Sequence, residues 1–323
     1  MPSPIILNVE PEGYSPLARA TLEAIADVRE SKLTREELLA NLPGVFGLIV
    51  RLGHRVDEEL LAAGPNLRFV ATATTGLNHI DLEAAERRGI AVLSLKGEVD
   101  FLNTVTATAE HTWALLLALI RHLPQATSHA RAGHWNRNPF KGRELSDMTL
   151  GIVGYGRLGR IVATYGKAFR MRILATDPKP VSRDEGITYT TLIDLLERSD
   201  IISVHACLTA ETRGLLGPAE FARIKPGAYL INTARGEIID EPSLLEALQS
   251  NHLAGAAVDV LSDEVPCGAT WPVEHLLLNY ARTHDNLIIT PHIGGATLDS
   301  MHKTEIFLAK KIKHFIEAKD EVV

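Results

Sequence analysis

The ten residues GIVGYGRLGR, positions 151–160, place glycines at Gly154, Gly156 and Gly159 directly behind the apolar, β-prone run Thr149-Leu150-Gly151-Ile152-Val153. A strand that stops abruptly and then leaves three side chains missing fits a tight strand-to-helix turn. Bare backbone there can approach a pyrophosphate and deliver it to a helix N-terminus. An ordinary glycine-rich loop would use the same letters, so the flanking sequence has to decide. The following strand, Arg172 to Thr176, ends at Asp177, 18 residues beyond Gly159. An acidic residue about 20 positions on is what a dinucleotide site uses to hold the adenosine ribose hydroxyls, and its charge would repel the extra phosphate of NADP. The order strand, glycine turn, helix, strand, acid therefore predicts an NAD site.

Composition bounds what that site can belong to. At 323 residues the chain fits two domains of about 150 residues each. Hydrophobic residues make up 46% and charged residues 23%, the balance of a globular protein. The net charge of −7 argues against nucleic acid as a partner, because phosphate binding wants a basic face. Cys207 and Cys267 show no paired spacing, so neither a disulfide framework nor a zinc site is expected, and a reducing cytoplasm is the simplest setting. The longest apolar run, Trp113 to Ile120, is far below the roughly 18 residues of a membrane span, and the N-terminus lacks a signal-peptide pattern.

Two α/β units follow one another along the chain. Strand-like runs at Pro4 to Val9, Val45 to Val50, Leu67 to Ala73 and Ile90 to Leu95 alternate with helical segments such as Pro16 to Ala26 and Asp57 to Ala63. A long apolar-faced helix is expected from Thr104 to Arg121, followed by a polar loop or arm from His129 to Arg143. A second series then begins at Thr149, with a helix over Arg157 to Ala168 and strands at Arg172 to Thr176, Ile201 to His205, Ala228 to Asn232, Ala254 to Asp259 and Asn286 to Thr290. The helical segment Thr297 to Ile316 has no strand of its own to cover, so it is expected to return to the first unit. The expected fold class is α/β, with two Rossmann-like doubly wound parallel-sheet domains and a cleft between them. Residues 1–98 plus 296–323 are read as a discontinuous, flavodoxin-like substrate domain and residues 99–295 as the NAD-binding domain.

Three further stretches carry chemistry: INTARGEIIDE around Arg235, AAVDVLSDEVP with Asp259 and Glu264, and TPHIGGAT around His292. Together with GYGRLG, ATTGLNHIDLEAAERRGI at 73–90 and TAEHTWALLLALIR at 108–121, they resemble the D-isomer-specific 2-hydroxyacid dehydrogenase family, over nearly the whole chain and in the family's order. Overall the chain looks most similar to phosphoglycerate-dehydrogenase-like members, without an appended regulatory domain.

The residue types make chemical sense on their own. Moving a hydride between nicotinamide and C2 of a 2-hydroxy acid needs a cation for the carboxylate, a proton donor or acceptor at the C2 oxygen, and a carboxylate to tune that base. Arg235, His292 and Glu264 supply those types as the catalytic set, and Arg235 can grip a planar carboxylate with two parallel hydrogen bonds. Imidazole has an ordinary pKa near ~6.5, which suits a group that gains and loses one proton per turnover. Glu264, bonded to the other ring nitrogen, would fix the tautomer.

The resemblance implies more. With the glycines Gly154, Gly156 and Gly159, the turn residues Tyr155, Arg157 and Leu158 and the acid Asp177 would bind the cofactor. Thr106, His205, Thr233, Ala234 and Asp259 would line its nicotinamide side. The amides of Thr75, Gly76 and Leu77 would hold the substrate carboxylate, Arg51 would sit near the substrate, and two chains would pair through the nucleotide domain as a homodimer.

Two departures matter. Glu264 and His292 stand 28 residues apart, longer than the usual family connection, and Thr72 occupies a position where members that take phosphorylated substrates often carry arginine. A small polar 2-oxo acid is therefore the expected substrate. Phosphoglycerate oxidation and hydroxypyruvate or glyoxylate reduction both stay open, as does a non-catalytic NAD-sensing protein from another class. His122, His129 and His134 match no metal-ligand spacing, so no metal is expected.

Overall fold

Apolar runs of only three to six residues, each followed by a helical crossover, pair as parallel strands, because a parallel neighbour needs a connection long enough to return to the same edge. A computed structural model of the protein describes residues 3–178, 184–262, 264 and 274–320. In it Ile5–Asn8 (β1), Asp27–Glu30 (β2), Gly47–Val50 (β3), Phe69–Thr72 (β4) and Ala91–Leu93 (β5) form an all-parallel sheet in the order β2-β1-β3-β4-β5. A seven-stranded parallel sheet is built from Thr149–Val153 (β6), Arg172–Thr176 (β7), Ile187–Tyr189 (β8), Ile201–Val204 (β9), Ala228–Asn232 (β10), Leu253–Val258 (β11) and Leu287–Ile289 (β12). Its order is β12-β11-β10-β9-β6-β7-β8. The first order is flavodoxin-like and the second is the Rossmann order with one further strand.

The central strands read as continuous apolar runs because both faces are covered: every residue of β3, β4, β6, β9 and β10 is buried. Helix starts are written locally. Ser15, Asp57, Asp81, Thr191 and Asp240 each cap a helix through a side-chain oxygen, and Thr34 with Glu37 forms a reciprocal capping box.

The described residues of 1–105 and 296–323 make one unit, and those of 106–264 and 272–295 the other. The C-terminal helix Leu298–Asp320 buries Leu308, Ala309 and Ile312 among Ile6, Leu22 and Phe69 of the first unit. The sequence reading placed the first junction after residue 98, but 99–105 pack within the first unit. Phe101 stacks on Phe307 at 4.1 Å, and Glu98 pairs with Lys311 at 2.5 Å, which ties this segment to the C-terminal helix.

Elsewhere the structure adds elements that the apolar pattern does not mark. β2 and β8 escape the apolar pattern because they are short, half-exposed edge strands, where polar side chains are tolerated. The polar stretch expected as a loop from His129 starts inside a helix, Leu123–Arg131, followed by a 3₁₀ turn at Asn138–Phe140. The His129 ring packs at 4.9 Å from His134 and 5.1 Å from Phe140, so these rings serve local packing. Among the described residues no helix is long and apolar enough to cross a membrane.

Candidate active site

The three glycines of the opening motif do three different jobs. Gly154 follows β6 with φ +91°, and a Cβ there would lie 2.5 Å from the amide nitrogen of Ala206. It makes the turn and lets β6 and the end of β9 approach. Gly159 faces inward, where a Cβ would meet the Gly154 carbonyl oxygen at 2.4 Å, so it allows helix Arg157–Ala168 to sit against its strand. Gly156, at the helix N-cap, has no heavy atom within 4 Å of a built Cβ. The open space is thus at the position where a pyrophosphate would approach, beside helix amides that no side chain caps. β6 and β9 also flank the point where strand order reverses, the place where open α/β sheets bind ligands.

Asp177, one residue past β7, accepts a hydrogen bond from the Tyr155 amide at 2.9 Å, which links the acid to the turn. The Tyr155 ring itself is buried and its hydroxyl donates to Asp184 at 3.0 Å; burial, with that carboxylate, pushes the phenol well above its usual range. Leu158 likewise packs against the apolar core. Of the expected cofactor residues, Tyr155 and Leu158 therefore keep their side chains engaged within the protein. Arg157 is partly buried, and desolvation lowers its guanidinium pKa.

His205 follows β9. Its Nε2 lies 2.8 Å from Ser203 Oγ, while Nδ1 is buried with no hydrogen-bond partner among the described residues. Burial lowers its pKa to about 4, so the ring is neutral at neutral pH. A buried ring nitrogen without a partner, beside the open turn, fits a ligand that can supply one. Thr233 shares a buried hydrogen bond with Thr112 at 2.8 Å, Ala234 donates its amide to Asn232 Oδ1 at 3.0 Å, and Thr106 donates to Glu110 at 2.5 Å. The hydroxyls of Thr106 and Thr233 are thus engaged within the protein.

The three expected catalytic side chains all belong to the second unit. Arg235 lies just beyond β10, where Asn232 braces the turn by donating to the Arg235 carbonyl at 2.9 Å. Its guanidinium donates to the Ala234 carbonyl at 2.6 Å and has no carboxylate partner among the described residues. Gly236 is needed next to it, because a Cβ would fall 2.1 Å from the Leu261 carbonyl carbon. That contact joins the Arg235 turn to the segment carrying Glu264. Glu264 accepts the Leu261 amide at 3.2 Å through Oε2, and its Oε1 lies 2.5 Å from His292 Nδ1. With Nδ1 bonded to the carboxylate, Nε2 is the nitrogen left to exchange a proton. Both side chains are partly exposed, at 26% for His292 and 16% for Glu264, so the pair is reachable.

Asp259 was expected beside the nicotinamide. Its carboxylate is bonded into the His292 loop: Oδ1 accepts from Thr290 Oγ1 at 2.6 Å and the Ile293 amide at 2.9 Å, and Oδ2 accepts the Gly294 amide at 2.8 Å. His111 Nε2 stands 3.2 Å from the same carboxylate and 3.0 Å from Thr290 Oγ1. Glu241, also buried, accepts the Ser262 amide at 2.8 Å and pairs with His275 at 3.1 Å. Sequence reasoning passed over His111, Thr290 and Glu241, although each lies inside a quoted motif, and His275, which lies in the long connection between two of them.

In the first unit, Arg51 does not present a free cation. Its guanidinium is ion-paired with Glu305, whose side chain is 1% exposed, and donates to the Glu12 carbonyl at 3.2 Å. Glu305 also accepts the Ser15 amide at 2.7 Å. The expected substrate role for Arg51 meets a structural one, joining the end of β3 to the C-terminal helix. Thr72 is fully buried with its hydroxyl 3.0 Å from that of Thr74, so this position presents no cation. Past β4, the amides of Thr75, Gly76 and Leu77 have no acceptor among the described residues, while the Leu77 side chain packs on the core. Cys267 and residues 265–273 of the long connection lie outside the described residues; its later part forms helix Leu276–Ala281. Among the described residues no cluster of three or more metal-ligating side chains occurs.

Comparison with known proteins identifies the family. Residues 113–294 match the family model described as D-isomer specific 2-hydroxyacid dehydrogenase, NAD binding domain. A hydroxypyruvate reductase of Thermotoga maritima is 36% identical over 286 residues, 88% of this chain and 90% of that protein. A D-3-phosphoglycerate dehydrogenase of Archaeoglobus fulgidus is 38% identical over 283 residues, 87% of this chain, but the match spans only 51% of that protein. Among solved structures, the D-lactate dehydrogenase of Aquifex aeolicus, complexed with NAD and lactic acid, matches with a TM-score of 0.85 and 29% identity over 98% of this chain and 96% of that one. The chain belongs to the D-isomer specific 2-hydroxyacid dehydrogenase family, and its second unit is that family's NAD-binding domain.

Proposed function

We propose that this protein is an NAD-dependent dehydrogenase that interconverts a small, polar, unphosphorylated 2-oxo acid and its D-2-hydroxy acid, with hydroxypyruvate and glyoxylate as the favoured oxo acids. The observation that carries the reading is the 2.5 Å His292–Glu264 pair in the same unit as an unpaired Arg235 and the open glycine turn. Bound NAD supplies or accepts the hydride at C2. Arg235 holds the substrate carboxylate with a two-pronged contact. His292 gives a proton through Nε2 to the C2 oxygen in reduction and takes it back in oxidation, while Glu264 keeps the ring oriented. Asp177 favours NAD over NADP, by binding ribose hydroxyls and repelling a phosphate there.

The first unit serves as the substrate domain in this reading, with the free amides of Thr75, Gly76 and Leu77 as carboxylate donors. The substrate class follows from Arg51, whose charge is already balanced by Glu305, and from Thr72. A homodimer paired through the NAD-binding unit and a cytoplasmic setting complete the reading; the exposed, unbridged Cys207 thiol suits a reducing compartment. Light scattering at micromolar concentration tests the dimer.

The deciding experiment offers NADH with hydroxypyruvate, glyoxylate, pyruvate, 3-phosphohydroxypyruvate and a bulky apolar 2-oxo acid in turn, then repeats it with NADPH. Turnover of the first two with NADH is expected, with no advantage for the phosphorylated acid. A higher kcat/KM for 3-phosphohydroxypyruvate would overturn the substrate class. Tight NADH binding with no turnover of any acid would make the protein a nucleotide sensor instead.

A further inference from the structure

His292 stands on a loop that the Asp259 carboxylate grips by the two amides that follow it, Ile293 at 2.9 Å and Gly294 at 2.8 Å. The His292 amide in turn donates to the Asp259 carbonyl at 2.8 Å. Thr290, two residues earlier, donates its hydroxyl to Oδ1 at 2.6 Å. The Thr290 oxygen is then left to accept, and a carboxylate only accepts. His111 Nε2 faces both, at 3.0 Å from Thr290 Oγ1 and 3.2 Å from Asp259 Oδ1, so the ring must carry its hydrogen on Nε2. His111 lies on helix Ala107–Ile120, a separate element from the loop, and its Cδ2 comes within 3.6 Å of a built Cβ on Gly294.

We propose that His111 is a positioning residue for the reaction: it braces Thr290 and Asp259 from helix Ala107–Ile120 and so fixes the loop that presents His292. The inference rests on the dehydrogenase reading for its kinetic consequence. The bracing itself does not depend on that reading. A partly exposed imidazole donor at two acceptors, next to the proton-transfer group, holds geometry in the way outer hydrogen bonds hold metal or catalytic ligands. Its loss loosens the loop while leaving Arg235 and the glycine turn untouched.

The test compares His111→Phe, which keeps a ring and loses the donor, with His111→Gln, whose amide nitrogen can take the place of Nε2. His111→Phe is expected to lower kcat about tenfold, with KM for the 2-oxo acid and Kd for NADH within about twofold. His111→Gln should recover to within about threefold of the parent, and adding Thr290→Val to His111→Phe should cost little more than either change alone. Two readouts are independent of turnover. Nitrogen NMR of the parent protein should show the His111 ring protonated on Nε2, and hydrogen exchange at the Ile293 and Gly294 amides should quicken about tenfold in His111→Phe and less in His111→Gln. An unchanged kcat in His111→Phe, an equal loss in both variants, or an Nδ1-protonated ring overturns the proposal. If the parent protein turns over no 2-oxo acid, the dehydrogenase reading fails, and the ring tautomer and amide exchange still decide whether His111 braces the loop. If His111→Phe does not fold, the parent tautomer and the His111→Gln kinetics and exchange decide it.

Discussion

Replacing Arg51 by Met separates a structural cation from a substrate-binding one. Met keeps most of the aliphatic stem and removes only the charge and the donors. Glu305, 1% exposed, would then keep the Ser15 amide at 2.7 Å but lose its cation. Leaving one member of a buried pair uncompensated costs about 3–5 kcal/mol. The Ser15 bond, and the 21% exposure of Arg51, place the expected loss near the lower end, about 3 kcal/mol. At about 2–4 °C per kcal/mol, that is a drop of about 6–12 °C in the unfolding midpoint. Calorimetry and denaturant unfolding measure it, and steady-state kinetics below the transition should give kcat and KM for hydroxypyruvate within about twofold of the parent. Adding Glu305→Gln removes the orphaned charge and should restore at least about half of the loss. A variant that keeps its midpoint yet loses affinity for 3-phosphohydroxypyruvate would refute the reasoning and return Arg51 to the substrate.

Four further substitutions address the second unit. His292→Asn should depress kcat by ~10²–10⁴ while leaving the NADH dissociation constant nearly unchanged, as measured by fluorescence titration. Gly156→Val places its side chain in open space at an ordinary φ of −80°, so the midpoint should hold while NADH binding weakens by about tenfold or more, since bulk now meets the pyrophosphate; Gly154→Ala at φ +91° should instead lose stability. His205 has a folded pKa of about 4 against 6.5 when unfolded. Between those values the unfolded chain binds the extra proton, so this contribution is full above pH 6.5 and is lost as pH falls toward 4, by about 3 kcal/mol in all. His205→Gln should flatten that part of the stability–pH curve, and an unchanged slope would contradict the burial argument.

What the sequence exposed and what it hid follow from the range of the interactions involved. β6, β7 and β10 and the helix Arg157–Ala168 match their expected bounds, because an unbroken apolar strand and an amphipathic helix are local patterns. β2, with the sequence DVRE, has no such pattern and is held by pairing along its whole length with β1. The candidate residues Arg235, Glu264 and His292 stood out because they lie in motifs that resemble the family and because chemistry restricts which residue types can do each job. Arg51 was singled out through the family resemblance, and its pairing with Glu305, 254 residues away, is a contact that no local pattern shows. His111 and Asp259 meet across 148 positions, a distance no motif spans.

The conformation of His292 shows what those distant contacts accomplish. Its φ is +52°, in the left-handed region that costs a residue with a Cβ about 1–2 kcal/mol. That conformation persists only where the surroundings over-determine it. Asp259 supplies this from both sides, its carbonyl taking the His292 amide at 2.8 Å and its carboxylate the next two amides. Glu264 fixes the ring from a third direction at 2.5 Å. A relaxed loop would gain the strain energy back but would let the imidazole wander, and a misplacement of about 1 Å can cost about a hundredfold in rate. Burying Asp259 beneath the loop, 2% exposed and fully hydrogen-bonded, thus trades a little backbone strain for an imidazole held in one position.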